Sequence, residues 1–161
     1  MYEGIEEKIG ELLREKKLTI AIAESCTGGL ISHRITDVPG SSDYFEGSVI
    51  SYSNEVKMKL LGVLEDTLKE FGAVSSGCAV EMAEGIRDLL RTDIGLSATG
   101  IAGPGGATPE KPIGLVYIAL SSRAETNWRR FNFKGNREEN KESSSVEALR
   151  MVEEFLTGAD E

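Results

Sequence analysis

Histidine is nearly absent from this 161-residue sequence, with His33 its single copy, and cysteine occurs only at Cys26 and Cys78. Two separated cysteines are too few for a disulfide scaffold, and with one histidine they do not make a convincing zinc site, so no metal is assigned. No apolar run approaches the ~18 residues of a membrane span, and no membrane partner is expected. The opening M-Y-E-G-I-E-E is acidic where a secretory signal needs a basic and then an apolar region, so the expected location is the cytoplasm. Basic residues are in deficit as well. Eighteen Lys and Arg against 27 Asp and Glu give a net charge of -9, a field that repels nucleic acid and removes the main source of affinity for it. What remains is an ordinary globular composition, 40% hydrophobic and 28% charged, of a length expected for one domain over residues 1–161.

The pattern along the chain alternates between helix and strand. Apolar Ile5, Ile9, Leu12 and Leu13 form one stripe of a helix from Glu3 to Lys16. L-T-I-A-I-A, from Leu18 to Ala23, is short and β-branched at alternate places, as in a buried strand, and L-I-S-H-R-I-T returns to helical spacing. A second strand runs from Gly47 to Tyr52, and Ser53 or Asn54 caps a short helix that stops at Gly62. A further helical stretch covers Leu64 to Phe71. Ser75 or Ser76 then caps a longer helix, with Cys78, Met82, Ile86 and Leu89 on its apolar stripe, that runs to Thr92. Strands follow at I-G-L-S-A-T, I-G-L-V-Y-I-A-L and T-N-W-R-R-F-N-F, the last two forming a hairpin, and a final helix spans Val146 to Leu156. Interleaved helices and strands ending in a strand pair predict an α/β fold, a three-layer α/β/α sandwich around a mixed, mostly parallel sheet. If the first three strands are parallel, the strand ends carrying Ser25, Tyr52 and Gly100 meet at one crevice.

Three segments there carry chemistry. Ser25 follows a buried strand and precedes the helix opened by Thr27, Gly28 and Gly29, where unpaired backbone amides suit an anion or a developing oxyanion. A plain helix cap is the competing reading. Tyr52 ends a strand, and Lys57, five residues on, sits in the first turn of a helix. The positive end of that helix disfavours a cation, which eases deprotonation and suits a general base, although an exposed lysine without a role is the common alternative. From Gly95 to Gly114 the chain holds six of its 18 glycines and three of its four prolines. Thr99, Gly100, Gly103, Gly105 and Gly106 are therefore read as a loop whose amides converge on a phosphate or carboxylate, against the alternative of a tight connection between strands. The run is neither a P-loop nor G-x-G-x-x-G. Cys26 is a rival nucleophile, but His33 lies seven residues further on in the predicted helix, about two turns away, so a Cys-His pair is not expected.

In order, A-E-S-C-T-G-G-L from Ala23, P-G-S-S-D-Y-F from Pro39, S-Y-S-N-E-V-K from Ser51, G-A-V-S from Gly72, and T-G-I-A-G-P-G-G with K-P-I-G closely resemble the CinA C-terminal domain family. The resemblance runs from Ile5 to Leu156 and includes the stand-alone nicotinamide-nucleotide amidohydrolases. It implies deamidation of nicotinamide mononucleotide to nicotinic acid mononucleotide and ammonia, without metal or cofactor. It assigns Ser25 as nucleophile, Lys57 as general base and Tyr52 as an assisting group, and it suggests a homodimer with a small nucleotide as its only other partner. Backbone amides from Thr27 to Gly29 are the expected oxyanion hole, and the loop from Gly100 to Gly106 is expected to hold the nucleotide. Two features depart from the family. CinA proteins often carry a larger N-terminal domain, and none is expected before Met1. The family usually has G-D-R where this chain has G-N-R, ending at Arg137 ahead of a very polar stretch. The alternatives are a non-catalytic nucleotide-binding or interaction module, and an amidase acting on another small amide.

Overall fold

The computed structural model describes residues 4–158. Glu3, the expected start of the first helix, lies outside the described residues. Helices α1 (Ile5–Lys16), α2 (Leu30–Thr36), α3 (Asn54–Leu61), α4 (Glu65–Phe71), α5 (Ser76–Leu90) and α6 (Arg137–Thr157) surround strands β1 (Ile20–Glu24), β2 (Phe45–Ile50), β3 (Ile94–Gly100), β4 (Leu115–Ser121) and β5 (Thr126–Asn132). The strands form one mixed sheet in the order β2-β1-β3-β4-β5. β1 pairs in parallel with both β2 and β3, whereas β4 runs antiparallel to β3 and to β5. Four of the five strands therefore point the same way. The α/β/α layering expected from the sequence is the observed one.

Size alternation along the buried strands decides which helices cover which face. Ile20 and Ile22 of β1, Ile94 and Leu96 of β3 and Ile118 and Leu120 of β4 pack on one side with Ile9, Leu13, Ile31, Ile35, Leu149 and Val152 from α1, α2 and α6. The intervening residues are small: Ala21, Ala23, Gly95, Ser97 and Ala119. On that side α5 lies close to the sheet through Ala79, Met82, Ala83 and Ile86, with α3 and α4 packed outside it. A β-carbon on Gly85 would stand 1.9 Å from the Leu61 carbonyl oxygen, so α5 and the end of α3 touch backbone to backbone. Leu89, placed on the apolar stripe of α5 by its spacing, is instead 47% exposed, because the stripe is narrowed to residues that meet the small face.

Reversal of β4 sends the 122–125 turn to the amino ends of the parallel strands and brings β5 back toward their carboxyl ends. Residues 25–29, 51–53, 101–114 and 133–136 consequently gather at one end of the sheet. The β2 strand leaves the sheet at Ile50, two residues before the expected end at Tyr52, although the Ser51 N–H still donates to the Glu24 carbonyl at 2.7 Å. The last helix starts at Arg137, well before Val146. Asn136 caps it by accepting from the Glu139 N–H, and the Glu139 carboxylate accepts from the Asn136 N–H. Hydrophobic spacing could not show this first half, because the side chains it buries are polar: Asn140, Ser144 and Ser145.

Gly85→Ala should destabilise the protein by about 1–3 kcal/mol in denaturant unfolding, since the added methyl has only backbone to push against. An unchanged midpoint would show that α3 and α5 separate freely.

Candidate functional site

Glu24 ends β1 with its side chain completely buried. Its carboxylate accepts from Thr27 Oγ1 (2.6 Å), Gly29 N (3.1 Å), Ile31 N (3.1 Å), Ser32 N (2.9 Å) and Ser32 Oγ (2.6 Å). The open amides at the start of α2 are thus capped from below by the strand that feeds it. Gly28 and Gly29 supply the left-handed backbone, φ 61° and 105°, that folds the chain over this carboxylate. Ser25 stands at the apex, with its N–H donating to the Ala98 carbonyl of β3 at 3.0 Å.

These bonds correct the expected oxyanion hole. The Gly28 N–H donates to the Ser25 carbonyl, while Gly29 N–H and the Thr27 hydroxyl are both spent on Glu24. Among the described residues, the N–H groups of Cys26 and Thr27 have no backbone or side-chain oxygen to donate to. The free donors therefore sit one and two residues after Ser25, earlier than the glycines. Glu24 was missed in the sequence because a carboxylate beside Ser25 reads as part of a motif; the signal was a charged residue at the end of an otherwise apolar strand.

Lys57 comes from α3. Ser53 caps this helix, accepting from the Val56 N–H at 3.2 Å, and Leu61 anchors its far end in the core against α5. The Lys57 side chain is directed inward and is only 1% exposed. Its Nζ lies 3.0 Å from Ser25 Oγ, 2.6 Å from the Ser51 carbonyl oxygen and 3.3 Å from that of Tyr52. Burial lowers the Lys57 pKa from its ordinary 10.5. Thiolates at Cys78 and Cys26 would oppose this, but burial pushes those thiols up to about 11 and about 12, so both are neutral near pH 7. A neutral amine has two hydrogens and one lone pair. Two carbonyl oxygens, which can only accept, take the hydrogens, and the lone pair is left toward the Ser25 hydroxyl.

A cleft of about 210 Å³ opens above this pair, lined by Ser25, Cys26, Tyr52, Lys57, Ala73, Val74, Thr99, Gly100, Ala102 and Arg137. Tyr52 meets Lys57 through its backbone carbonyl, not its ring. The ring is 63% exposed at the mouth, where Arg137 Nη2 donates to the phenol oxygen at 3.3 Å. Arg137 also donates to the Gly103 carbonyl at 2.7 Å, and Asn140 Nδ2 donates to Ala102 at 3.0 Å. The start of α6 therefore holds the start of the glycine loop. Gly103 lines an adjoining groove of about 460 Å³ with Pro104, Ile113 and Arg137. Gly105 and Gly106, expected to bind a ligand, line neither space. The loop turns outward there, closes through Thr108 and Lys111, and is pinned when Lys111 Nζ donates to the Phe71 carbonyl at the end of α4. His33 is exposed beside Asp37, away from Cys26.

An α/β/α sandwich with a buried serine–lysine pair at the carboxyl ends of its parallel strands is the class of protein this structure defines. Its membership is specific: the model of the CinA C-terminal domain matches residues 2–156, and the chain belongs to that family. It is 52% identical over 153 residues to a CinA-like protein of Dictyoglomus thermophilum, covering 95% of this chain and 37% of the relative. It is also 52% identical to a putative competence-damage inducible protein of Halothermothrix orenii, again covering 95% of this chain and 37% of that protein. The chain thus spans little more than a third of the length of these relatives. Among solved structures it is similar to a competence-damaged protein (CinA) superfamily protein of Klebsiella pneumoniae, with TM-score 0.92 and 28% identity over 96% of each chain. Against the competence/damage inducible protein CihA of Agrobacterium tumefaciens the TM-score is 0.87 at 35% identity, covering 94% of this chain and 96% of that one.

Glu24→Gln should cost at least about 2 kcal/mol, because an amide nitrogen replaces one acceptor oxygen among donors that have nowhere else to turn. Thermal and denaturant unfolding will measure it, and near-wild-type stability would show that the turn does not depend on the carboxylate. Lys57 gives a signed pH effect. Its folded pKa is below its unfolded one, so the unfolded chain binds more protons and the wild type gains stability relative to Lys57→Met as pH rises toward 10.5. A difference that stays flat between pH 7 and 10 would contradict the depressed amine.

Proposed function

We propose that the protein is an amidohydrolase that converts the carboxamide of nicotinamide mononucleotide to the carboxylate and releases ammonia. The observation that supports it most is the Lys57 Nζ, buried and 3.0 Å from Ser25 Oγ. Together with the family resemblance it supports a serine nucleophile with a lysine base. Lys57 takes the hydroxyl proton as Ser25 Oγ attacks the amide carbon, and the resulting ammonium is held by the Ser51 and Tyr52 carbonyls. The oxyanion is met by the free N–H groups of Cys26 and Thr27. Lys57 then delivers its proton to the departing nitrogen, ammonia leaves, and a serine ester remains. Water, deprotonated by the same amine, attacks the ester and frees the acid and Ser25.

The cleft suits a ring and its carboxamide better than a whole nucleotide. Arg137 stands between it and the adjoining groove, so the ribose phosphate is placed outward, where the remaining guanidinium N–H groups meet it. Tyr52 assists in two ways, through the carbonyl on Lys57 and through the phenol that fixes Arg137. The working unit is taken to be a homodimer, which sedimentation would register as twice the 17.4 kDa chain.

Purified protein should release ammonia from nicotinamide mononucleotide in the presence of chelator, and Ser25→Ala and Lys57→Ala should each lose at least about a thousandfold while staying folded. Cys26→Ala should retain most of the activity, because a thiol at about 12 supplies almost no thiolate. A silent wild type would replace this reading with a nucleotide-binding module; an active Ser25→Ala would remove the mechanism. kcat/KM should rise with pH as Lys57 loses its proton, with its midpoint below 10.5. A rate that falls over the same range would contradict a lysine base.

A further inference from the structure

Thr99 is buried in the cleft, 1% exposed, and neither the serine nor the lysine bonds to it. Its position follows from strand register. Ala98 of β3 pairs with Glu24 of β1, and the Ser25 N–H donates to the Ala98 carbonyl, so Thr99 lies directly across from Ser25. Parallel strands are about 4.8 Å apart, and neighbours in register share a face. Both side chains extend the row of Ala23 and Ser97 on the α5 side, the side from which Lys57 arrives.

The hydroxyl of Thr99 has a fixed polarity. It lies 2.9 Å from the Ala73 carbonyl oxygen, which cannot donate, so its one hydrogen is committed there. Toward the cleft Thr99 Oγ1 presents lone pairs only. The cleft also holds the Ser25 hydroxyl, the N–H groups beside it and the Lys57 amine, while the Ala102 and Gly103 carbonyls of the nearby loop are already used by Asn140 and Arg137. Among the side chains lining the cleft, an acceptor is thus held opposite the nucleophile.

Resting on the amidase reading, we propose that Thr99 Oγ1 selects the substrate's carboxamide by accepting a hydrogen bond from its NH2 group and disfavours the carboxylate product. A carboxamide bound with its oxygen toward the Cys26 amide turns its nitrogen to the other wall of the cleft, where an acceptor is needed. A carboxylate in the same pose sets a second oxygen against the Thr99 lone pairs. The same contact therefore orients the leaving group for protonation by Lys57 and speeds release of the acid.

The test separates this contact from the hold that Thr99 has on Ala73. Ser25→Ala protein, which keeps the amide ligand intact, is compared by calorimetry with Ser25→Ala/Thr99→Val and Ser25→Ala/Thr99→Ser, using nicotinamide mononucleotide and nicotinic acid mononucleotide as probes. The valine variant should lose about tenfold in affinity for the amide while affinity for the acid is unchanged or rises, and the serine variant should restore the wild-type preference. Equal losses for both ligands would overturn the proposal and leave Thr99 as a strut for the 72–74 segment. Amide affinity unaffected by Thr99→Val would also overturn it. Binding of neither probe by Ser25→Ala protein would overturn the nucleotide reading itself and this assignment with it.

Discussion

The Glu24 carboxylate is the constraint on which the turn at Ser25 depends. Five donors from one short segment converge on its two oxygens, and each is a group that the strand-to-helix bend would otherwise leave unpaired in the interior. The chain can therefore turn sharply beneath Ser25 without exposing backbone to an apolar core. Because the carboxylate absorbs the later amides, those nearest the serine are the ones left open. Support and vacancy are two sides of one hydrogen-bond allocation.

Lys57 shows the reverse economy. An ammonium with 1% exposure and, among the described residues, no carboxylate partner is a poor contributor to stability, and the fold keeps it beside carbonyls and neutral thiols. Burial disfavours the charged form of Lys57 and so favours an amine with a free lone pair. Close contact of α5 with α3 through Gly85 fixes the helix that carries it, so packing remote from the cleft sets the distance between nitrogen and hydroxyl.

Much of this was legible in the sequence where a residue type has one dominant physical use. Strand lengths, the size alternation of I-A-I-A, the Ser53 cap and the breaks at Gly62 and Gly72 all translated directly into elements. The ordered motifs named Ser25, Lys57 and Tyr52, which the fold brings to one cleft. Hydrogen-bond allocation stayed hidden. Nothing in A-E-S-C-T-G-G says that Glu24 consumes the Gly29 amide, nor that Tyr52 meets Lys57 through its backbone. The polar start of α6 was hidden too, because Asn140, Ser144 and Ser145 are satisfied by hydrogen bonds to nearby backbone, to Ala102 and to Arg34, a pattern that hydrophobic periodicity does not register. The N-x-x-E box at Asn136 and Glu139 was the available sign.

Reversal of β4 also divides the molecule into two ends with different freedom to change. The loops at the carboxyl end of the sheet hold one another through Arg137, Asn140 and Thr99, so an inserted residue there would alter several partners together. The 122–125 turn at the other end bonds chiefly to itself, through Ser122 and Glu125. Length variation, a fused peptide or a fluorescent reporter is best accommodated there, where the sheet's rigidity separates the alteration from the Ser25 cleft.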